Sequence, residues 1–255
     1  MDAIQALVAQ FVFASLRYLP VVAIPALSPL SWAPALVRIT LLFGMAWLTV
    51  LASPAAAPLA AWHQPAGLML ACASELLLGL SFGLAVMLPQ AALAMSSAVA
   101  DLQAGLSAAT LFNPGGQHEQ STMTGTVWML AATVLFFTLG LHLLLFRTMA
   151  ASVVALPLGA IGLHLDVEGF MGMLGSSFLL GLAVMAPVIL GLFALDLGVA
   201  YATRSMPQAN VYFIALPLKV LVALLLLAMT LRFAPALLGR LYQDAFARLP
   251  AVLGA

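Results

Sequence analysis

The chain has 255 residues, of which 65% are hydrophobic and 6% charged, with a mean hydropathy of +1.17. A soluble domain cannot keep that much apolar surface from water, so the solvent of this chain is a bilayer. Formal net charge is zero and there is no basic run, which excludes the electrostatic footprint of a nucleic-acid binder, and the single cysteine, Cys72, excludes an internal disulfide framework.

The first predicted element is a helix in MDAIQALVAQFVFASLRYLP. Asp2 stands where a secretion signal carries basic residues, and Arg17 interrupts the apolar run before any small-residue cleavage site. The stretch is therefore read as a retained first helix. Six apolar blocks follow one another at roughly 4-27, 34-52, 66-112, 123-163, 170-202 and 208-238, each bounded by proline, glycine or polar residues. They predict an all-α integral membrane protein, read as one polytopic domain over 1-255. The proline-containing break SPAAAPLAAWHQPAG (53-67) is a connector.

As one helix, block 66-112 would reach about 70 Å at 1.5 Å per residue, against a hydrocarbon core of about 30 Å. It is expected to fold back or break, and Pro89 divides it into halves of membrane-spanning length. Block 123-163 is also too long for one simple span, and PLGAIG (157-162) is expected to end it. Arg232, near the end of the last apolar block, with Arg240 and Arg248 beyond it, is expected to place that end of the chain in the cytoplasm.

Glu75, Asp101, Asp196, Arg204 and Lys219 lie within or at the edges of these blocks. A charge there costs a few kcal/mol unless it is paired or faces water or protein. They suit either a proton or ion pathway or a ladder of contacts in an assembly; the ordinary alternative is a side chain reaching to the interface from a helix end. That alternative weighs evenly for Asp101 and Arg204, near block ends, and less for the deeper Glu75 and Asp196. Asp196 and Arg204 stand about 12 Å apart along a helix, so their partners are expected on other helices or chains. His142 lacks a second histidine at helical spacing, the serines sit in no nucleophile elbow, and His118-Glu119 has no triad context. No catalytic, cofactor or metal site is predicted, and the chain is not read as an enzyme. The loop LFNPGGQHEQST (111-122) combines strong turn chemistry with many hydrogen-bonding groups. Non-helical backbone of this kind also lines or closes cavities in membrane assemblies, which makes Phe112, Asn113, Pro114, Gly115, Gly116 and Gln117 a gate candidate.

The stretch RSMPQANVYFIALPLK (204-219) is polar and proline-broken between two apolar runs. Through Arg204, Pro207, Gln208, Asn210, Phe213, Pro217 and Lys219 it resembles the signature of the FliR/SctT family of type III secretion export-gate proteins. SELLLGLSFGLAVML (74-88), with Glu75, Gly79 and Gly83, resembles the family's Glu-Leu-hydrophobic-Gly segment. ADLQAGLSAATLFNPGGQ (100-117) is similar to its Asp-x-Gln-x-Gly-Leu-Ser run and proline-glycine loop. FFTLGLHLLLF (136-146) and MAPVILGLFALDLGVAYATR (185-204) look like its later helices. Departures are Gly140-Leu141-His142 in place of adjacent Gly-His, Asn113-Pro114 in place of Asp-Pro, and Ser96-Ser97 near a usual Ala-Gly pair. The run ADLQAGLS lacks the arginine frequent in the virulence branch, which favours the flagellar one.

The resemblance implies kinked helical hairpins packed as a subunit of a helical export-gate assembly in the bacterial inner membrane, within the flagellar basal body. With FliP and FliQ, beside FlhB and FlhA, such a subunit forms the channel through which unfolded flagellar proteins cross. The partners implied are those four proteins, the exported flagellar proteins and membrane lipid, with no nucleic acid and no cofactor. The resemblance further implies intersubunit or pore-entrance contacts for Arg204, Gln208, Asn210 and Lys219, and a plug role for 112-117. Glu75, Asp101 and Asp196 are expected as buried polar contacts, and Pro89, Pro207 and Pro217 as hairpin kinks. The alternative is a secondary transporter for a small solute, which predicts paired short helices in an internal repeat; no convincing repeat is present.

Overall fold

A computed structural model describes residues 2–30, 32–52, 65–106, 123–160, 166–206 and 211–252. Every helix or strand segment among them is α-helical: α1 (Asp2–Val22), α2 (Ala35–Ala52), α3 (Pro65–Ala104), α4 (Met123–Thr138), α5 (Leu141–Ala155), α6 (Val167–Ser205), α7 (Val211–Leu231), α8 (Ala234–Ala247) and α9 (Leu249–Val252). Helices dominate because a bilayer offers the backbone no hydrogen-bonding partner, so each segment must satisfy its own N–H and C=O groups. Five helices, α1, α2, α3, α6 and α7, are long and apolar enough to cross a membrane, and α4 with α5 makes a sixth if counted as one broken span.

Block 66-112 does not break at Pro89. α3 runs through it as one helix of 40 residues, about 60 Å long and twice the thickness of a hydrocarbon core. α6, with Pro187 inside it, has 39 residues and the same disproportion. Proline removes one intrahelical bond, but membrane helices tolerate it because neighbouring groups and small backbone adjustments satisfy the freed carbonyl. Pro217 likewise lies inside α7, whereas Pro207 falls outside the described residues. Block 123-163 breaks earlier than expected: Gly140, at φ 69, separates α4 from α5. Glycine reaches that left-handed conformation without the Cβ clash other residues meet. α5 then ends at Ala155, where Leu156 turns extended. The last block also divides, since α7 stops at Leu231 and α8 begins at Ala234.

The chain forms two compact units. The first holds residues 1–88, 140–175 and 242–255, and the second 89–139 and 176–241. The core of the first gathers Phe13 and Ala14 of α1, Ala46 and Val50 of α2, Ala71 of α3, Val153 of α5, and Leu158. In the second, Leu93 and Ala100 of α3 meet Trp128 and Ala132 of α4, Val184 and Val188 of α6, and Ala223 and Leu227 of α7. Small residues are frequent at these seams because helices in lipid gain little by hiding apolar surface and associate through close packing. Large apolar side chains elsewhere stand exposed, Phe213 and Ile214 at 79% and 71% among them, as expected of faces that meet lipid or another protein.

Candidate functional site

In the first unit the 3.6-residue period of α1 puts Phe13, Ala14, Tyr18, Val21 and also Arg17 on the buried face. On α3 the same period aligns Ala71, Ser74, Glu75 and Leu78. Arg17 Nε donates to Glu75 Oε2 at 2.6 Å and Nη2 to Oε1 at 2.9 Å, the two-pronged match of planar guanidinium to planar carboxylate. Nη1 donates to Ser152 Oγ of α5 at 3.1 Å, and Nη2 also donates to the Leu156 carbonyl at 3.0 Å. Glu75 Oε1 accepts in addition the backbone N–H of Gly159 at 2.8 Å. Ser74 Oγ, one position before Glu75, lies 2.9 Å from the carbonyl oxygen of Ala160.

This network ties α1, α3 and α5 to the non-helical residues 156–160. It supplies partners for backbone groups that no helix satisfies, as buried irregular backbone requires. The helices meet closely at the same place: a Cβ on Gly79 would stand 2.3 Å from the carbonyl oxygen of Arg17, so only glycine fits. Tyr18 and Thr49 share a further hydrogen bond of 2.9 Å between α1 and α2.

The second unit carries two acid-centred contacts. Asp101, 1% exposed near the end of α3, accepts the backbone N–H of Thr124 at 2.9 Å and also the Thr124 hydroxyl. Its carboxylate thereby satisfies one of the donors left free in the first turn of α4 and lies at the favourable end of that helix's dipole. Asp196 of α6 pairs with Lys219 of α7, their side chains 38% and 23% exposed. Asp196 was expected among the buried contacts; within this chain it is half-exposed, and its partner lies on another helix. Ser96 Oγ reaches across from α3 to the Gly181 carbonyl of α6 at 3.1 Å while staying within 2.6 Å of its own Ala92 carbonyl. A Cβ on Gly181 would come within 2.6 Å of Ala92 Cβ.

Arg204 is exposed in the last turn of α6, where a cation complements the carbonyl end of the helix. Gln208, Asn210 and the gate candidate Phe112, Asn113, Pro114, Gly115, Gly116 and Gln117 lie outside the described residues. The structure thus places Glu75 in one contact of the first unit, and Asp101 and the Asp196–Lys219 pair in two contacts of the second. Arg17 escaped the sequence reading as a member of the first, although an unmatched arginine in one apolar block and an unmatched glutamate in another were a signal that they pair.

Among the described residues no group of three His, Cys, Asp or Glu is placed to hold a metal ion. In the first unit an apolar groove of about 230 Å³ is lined by Leu77, Leu80, Leu84 and Phe170, with Ser81 and Asp166 as its polar members. Ser81 bonds to its own helix at the Leu78 carbonyl, and the Asp166 carboxylate caps Glu168 and Gly169. The groove therefore lacks the converging free polar groups of a solute site.

Compared with known proteins, the chain matches the family described as "Bacterial export proteins, family 1" over residues 8–245. It is 32% identical over 174 residues to "Flagellar biosynthetic protein FliR" of Aquifex aeolicus, covering 68% of this chain and 67% of that protein. To "Yop proteins translocation protein T" of Yersinia pestis it is 30% identical over 163 residues, covering 63% and 62%. To "Flagellar biosynthetic protein FliR" of Escherichia coli it is 27% identical over 175 residues, covering 68% and 66%. The match spans between 62% and 67% of the lengths of these three relatives.

Proposed function

This chain belongs to the bacterial export proteins, family 1, and from that membership we propose that it is a subunit of a flagellar type III protein export gate in the bacterial inner membrane. With FliP-like and FliQ-like subunits, beside FlhB and FlhA, it would form the basal-body channel through which unfolded flagellar proteins leave the cytoplasm. The observation that carries the reading is the family match over residues 8–245, nearly the whole chain. Similarity to proteins named for flagellar biosynthesis supports the flagellar assignment.

The physics of the helices agrees with a subunit that other proteins cover. The Asp196–Lys219 pair sits within two strongly apolar helices and is incompletely enclosed by its own chain. A partly desolvated ion pair facing hydrocarbon is costly, whereas a neighbouring subunit can complete its shell. Lys219 and the exposed Arg204 are proposed to meet neighbouring subunits or the pore entrance, together with Gln208 and Asn210. Residues 112-117 are proposed as the plug that closes the channel, on the strength of their turn chemistry and the family resemblance. The role is one of structure and passage, without catalysis.

The test is export itself. Replacing Arg204 and Lys219 together should lower recovery of the gate complex or secretion of flagellar proteins, and a strain with normal motility and normal complex recovery would remove those residues from the account. Shortening 111-117 should make the closed gate leak small ions; unchanged conductance would leave that loop an ordinary turn.

A further inference from the structure

We propose that the apolar groove of the first unit is a binding site for one acyl chain of a phospholipid, whose zwitterionic headgroup meets the charges at its rim. The proposal stands apart from the gate reading above and needs only that the chain resides in a membrane. Six of the eight lining residues are apolar: Leu77, Leu80 and Leu84 of α3, Val167 and Phe170 of α6, and Val252 of α9. The helical period stacks Leu77, Leu80, Ser81 and Leu84 along one stripe of α3. Its own chain leaves that stripe open: Leu77 and Leu80 remain exposed, as does Val167 on the facing wall. That wall is fixed by backbone bonds. The Asp166 N–H donates to the Val252 carbonyl at 3.0 Å, tying the start of α6 to α9, and the Val252 N–H donates to the Arg248 carbonyl at 3.2 Å.

Size and charge select the occupant. At about 230 Å³ the groove is smaller than the roughly 300–1,000 Å³ of pockets that enclose a whole small molecule, and its one hydroxyl, Ser81, is spent on its own helix. A hydrocarbon chain needs apolar walls and no hydrogen bond. The rim differs. Asp166 lines the groove at the start of α6, and Glu168 stands exposed two residues on. The Asp166 carboxylate accepts the N–H groups of Glu168 and Gly169, which leaves lone pairs for a further donor. One turn before Val252, the partly exposed Arg248 pairs with Asp244 at 2.9 Å. Its guanidinium also reaches α6, since a Cβ on Gly172 would stand 3.7 Å from Nη1. Among the described residues within two turns of Asp166 and Val252, the chain thus carries three carboxylates, Asp166, Glu168 and Asp244, and one guanidinium. That balance repels a purely anionic headgroup and complements one bearing both an ammonium and a phosphate, as phosphatidylethanolamine does. Exposed charges at this density also argue against a dry protein contact, whose core is depleted of charge.

The experiment places a photoreactive diazirine amino acid at Leu80 of the full chain and extracts it with whatever remains bound. Detergent is exchanged until the same label at Leu36, exposed on α2, no longer yields a lipid adduct. Irradiation should then still give a phosphatidylethanolamine adduct at Leu80, identified by mass. An adduct to a protein subunit would make the groove a subunit contact and overturn the proposal, as would the absence of any lipid adduct. Selectivity is read by native mass spectrometry after incubation with mixed micelles of equal phosphatidylethanolamine and phosphatidylglycerol. The parent should retain one phosphatidylethanolamine per copy in preference to phosphatidylglycerol. Leu80→Asn should lower that retention about tenfold by removing apolar wall, and Arg248→Gln, at the exposed rim, about threefold. Equal retention of the two lipids by the parent, or parental retention by Leu80→Asn, overturns the site. Should Leu80→Asn fail to accumulate, Arg248→Gln decides: reduced retention supports the site and parental retention overturns it. None of these readouts depends on which subunits accompany the chain, so their failure leaves the gate reading standing.

Discussion

Arg17 and Glu75 are joined by two charge-assisted hydrogen bonds of 2.6 and 2.9 Å, with the side chains 0% and 1% exposed. The two residues lie 58 apart in sequence, yet they meet where α1 and α3 pack so tightly that a Cβ on Gly79 would come 2.3 Å from the Arg17 carbonyl oxygen. Replacing a buried pair by well-packed apolar residues is often neutral, whereas removing one member strands a charge at a cost of about 3–5 kcal/mol. Arg17→Ala and Glu75→Ala are each expected to reduce accumulation of the membrane-inserted protein severely. The double variant Arg17→Met with Glu75→Leu should recover part of that loss, though the Gly159 N–H and Leu156 carbonyl would still lack their partners. Quantifying folded protein after detergent extraction checks this, and equal loss in single and double variants would contradict it.

The glycines of the apolar helices are not equivalent. A Cβ on Gly79 meets the Arg17 backbone, while one on Gly44 meets nothing within 4 Å. Gly79→Ala should destabilise the protein by about 1–3 kcal/mol through overpacking against backbone that cannot rotate away. Gly44→Ala should be neutral or stabilising by up to about 1 kcal/mol, since alanine is the better helix former. Thermal unfolding of the isolated chain in detergent, followed by loss of helical circular dichroism, separates the two.

At the α3–α6 contact the packing matters more than the hydrogen bond. Ser96→Ala should cost only about 0.6 kcal/mol, the average for an interhelical hydrogen bond in a membrane protein, and its hydroxyl is already shared with the Ala92 carbonyl. Gly181→Leu should cost several times more, because the Ala92 backbone and Cβ occupy the space its side chain needs. The same unfolding measurement applies, and similar effects for the two variants would contradict a packing-dominated contact.

Lys219→Met leaves Asp196 as a half-exposed, unpaired acid on an apolar helix. It should lower recovery of the assembled complex more than the double variant Lys219→Met with Asp196→Asn, which removes both charges. Native electrophoresis of detergent extracts reads the difference. Matching recovery in the two would mean the pair contributes nothing to assembly.

How far the sequence could be read depended on the range of the interaction. Helices and membrane residence follow from composition and apolar run length, both local. The continuity of α3 through Pro89 was missed because the expectation that proline breaks helices comes from chains in water, and the length limit of a single span assumes that a helix stays within the hydrocarbon layer. The break at Gly140 was missed because glycine is common in membrane helices, and its positive φ leaves no mark on residue type. Glu75 and Asp101 stood out as charges needing company. Their partners, Arg17 and a backbone N–H with its threonine hydroxyl, are chosen by helix packing across long sequence separations, which periodicity alone does not encode. The segment with the strongest resemblance to the export-gate family, 204–219, overlaps the undescribed residues 207–210, so Gln208 and Asn210 rest on that resemblance.

The central claim is membership of a multi-subunit export gate, and native mass spectrometry of the gently extracted, C-terminally tagged protein tests it most directly. The account predicts recovery in a defined complex with FliP-like and FliQ-like subunits. Recovery alone or as a homodimer, under detergent conditions shown to preserve a known complex of the same membrane, would contradict it.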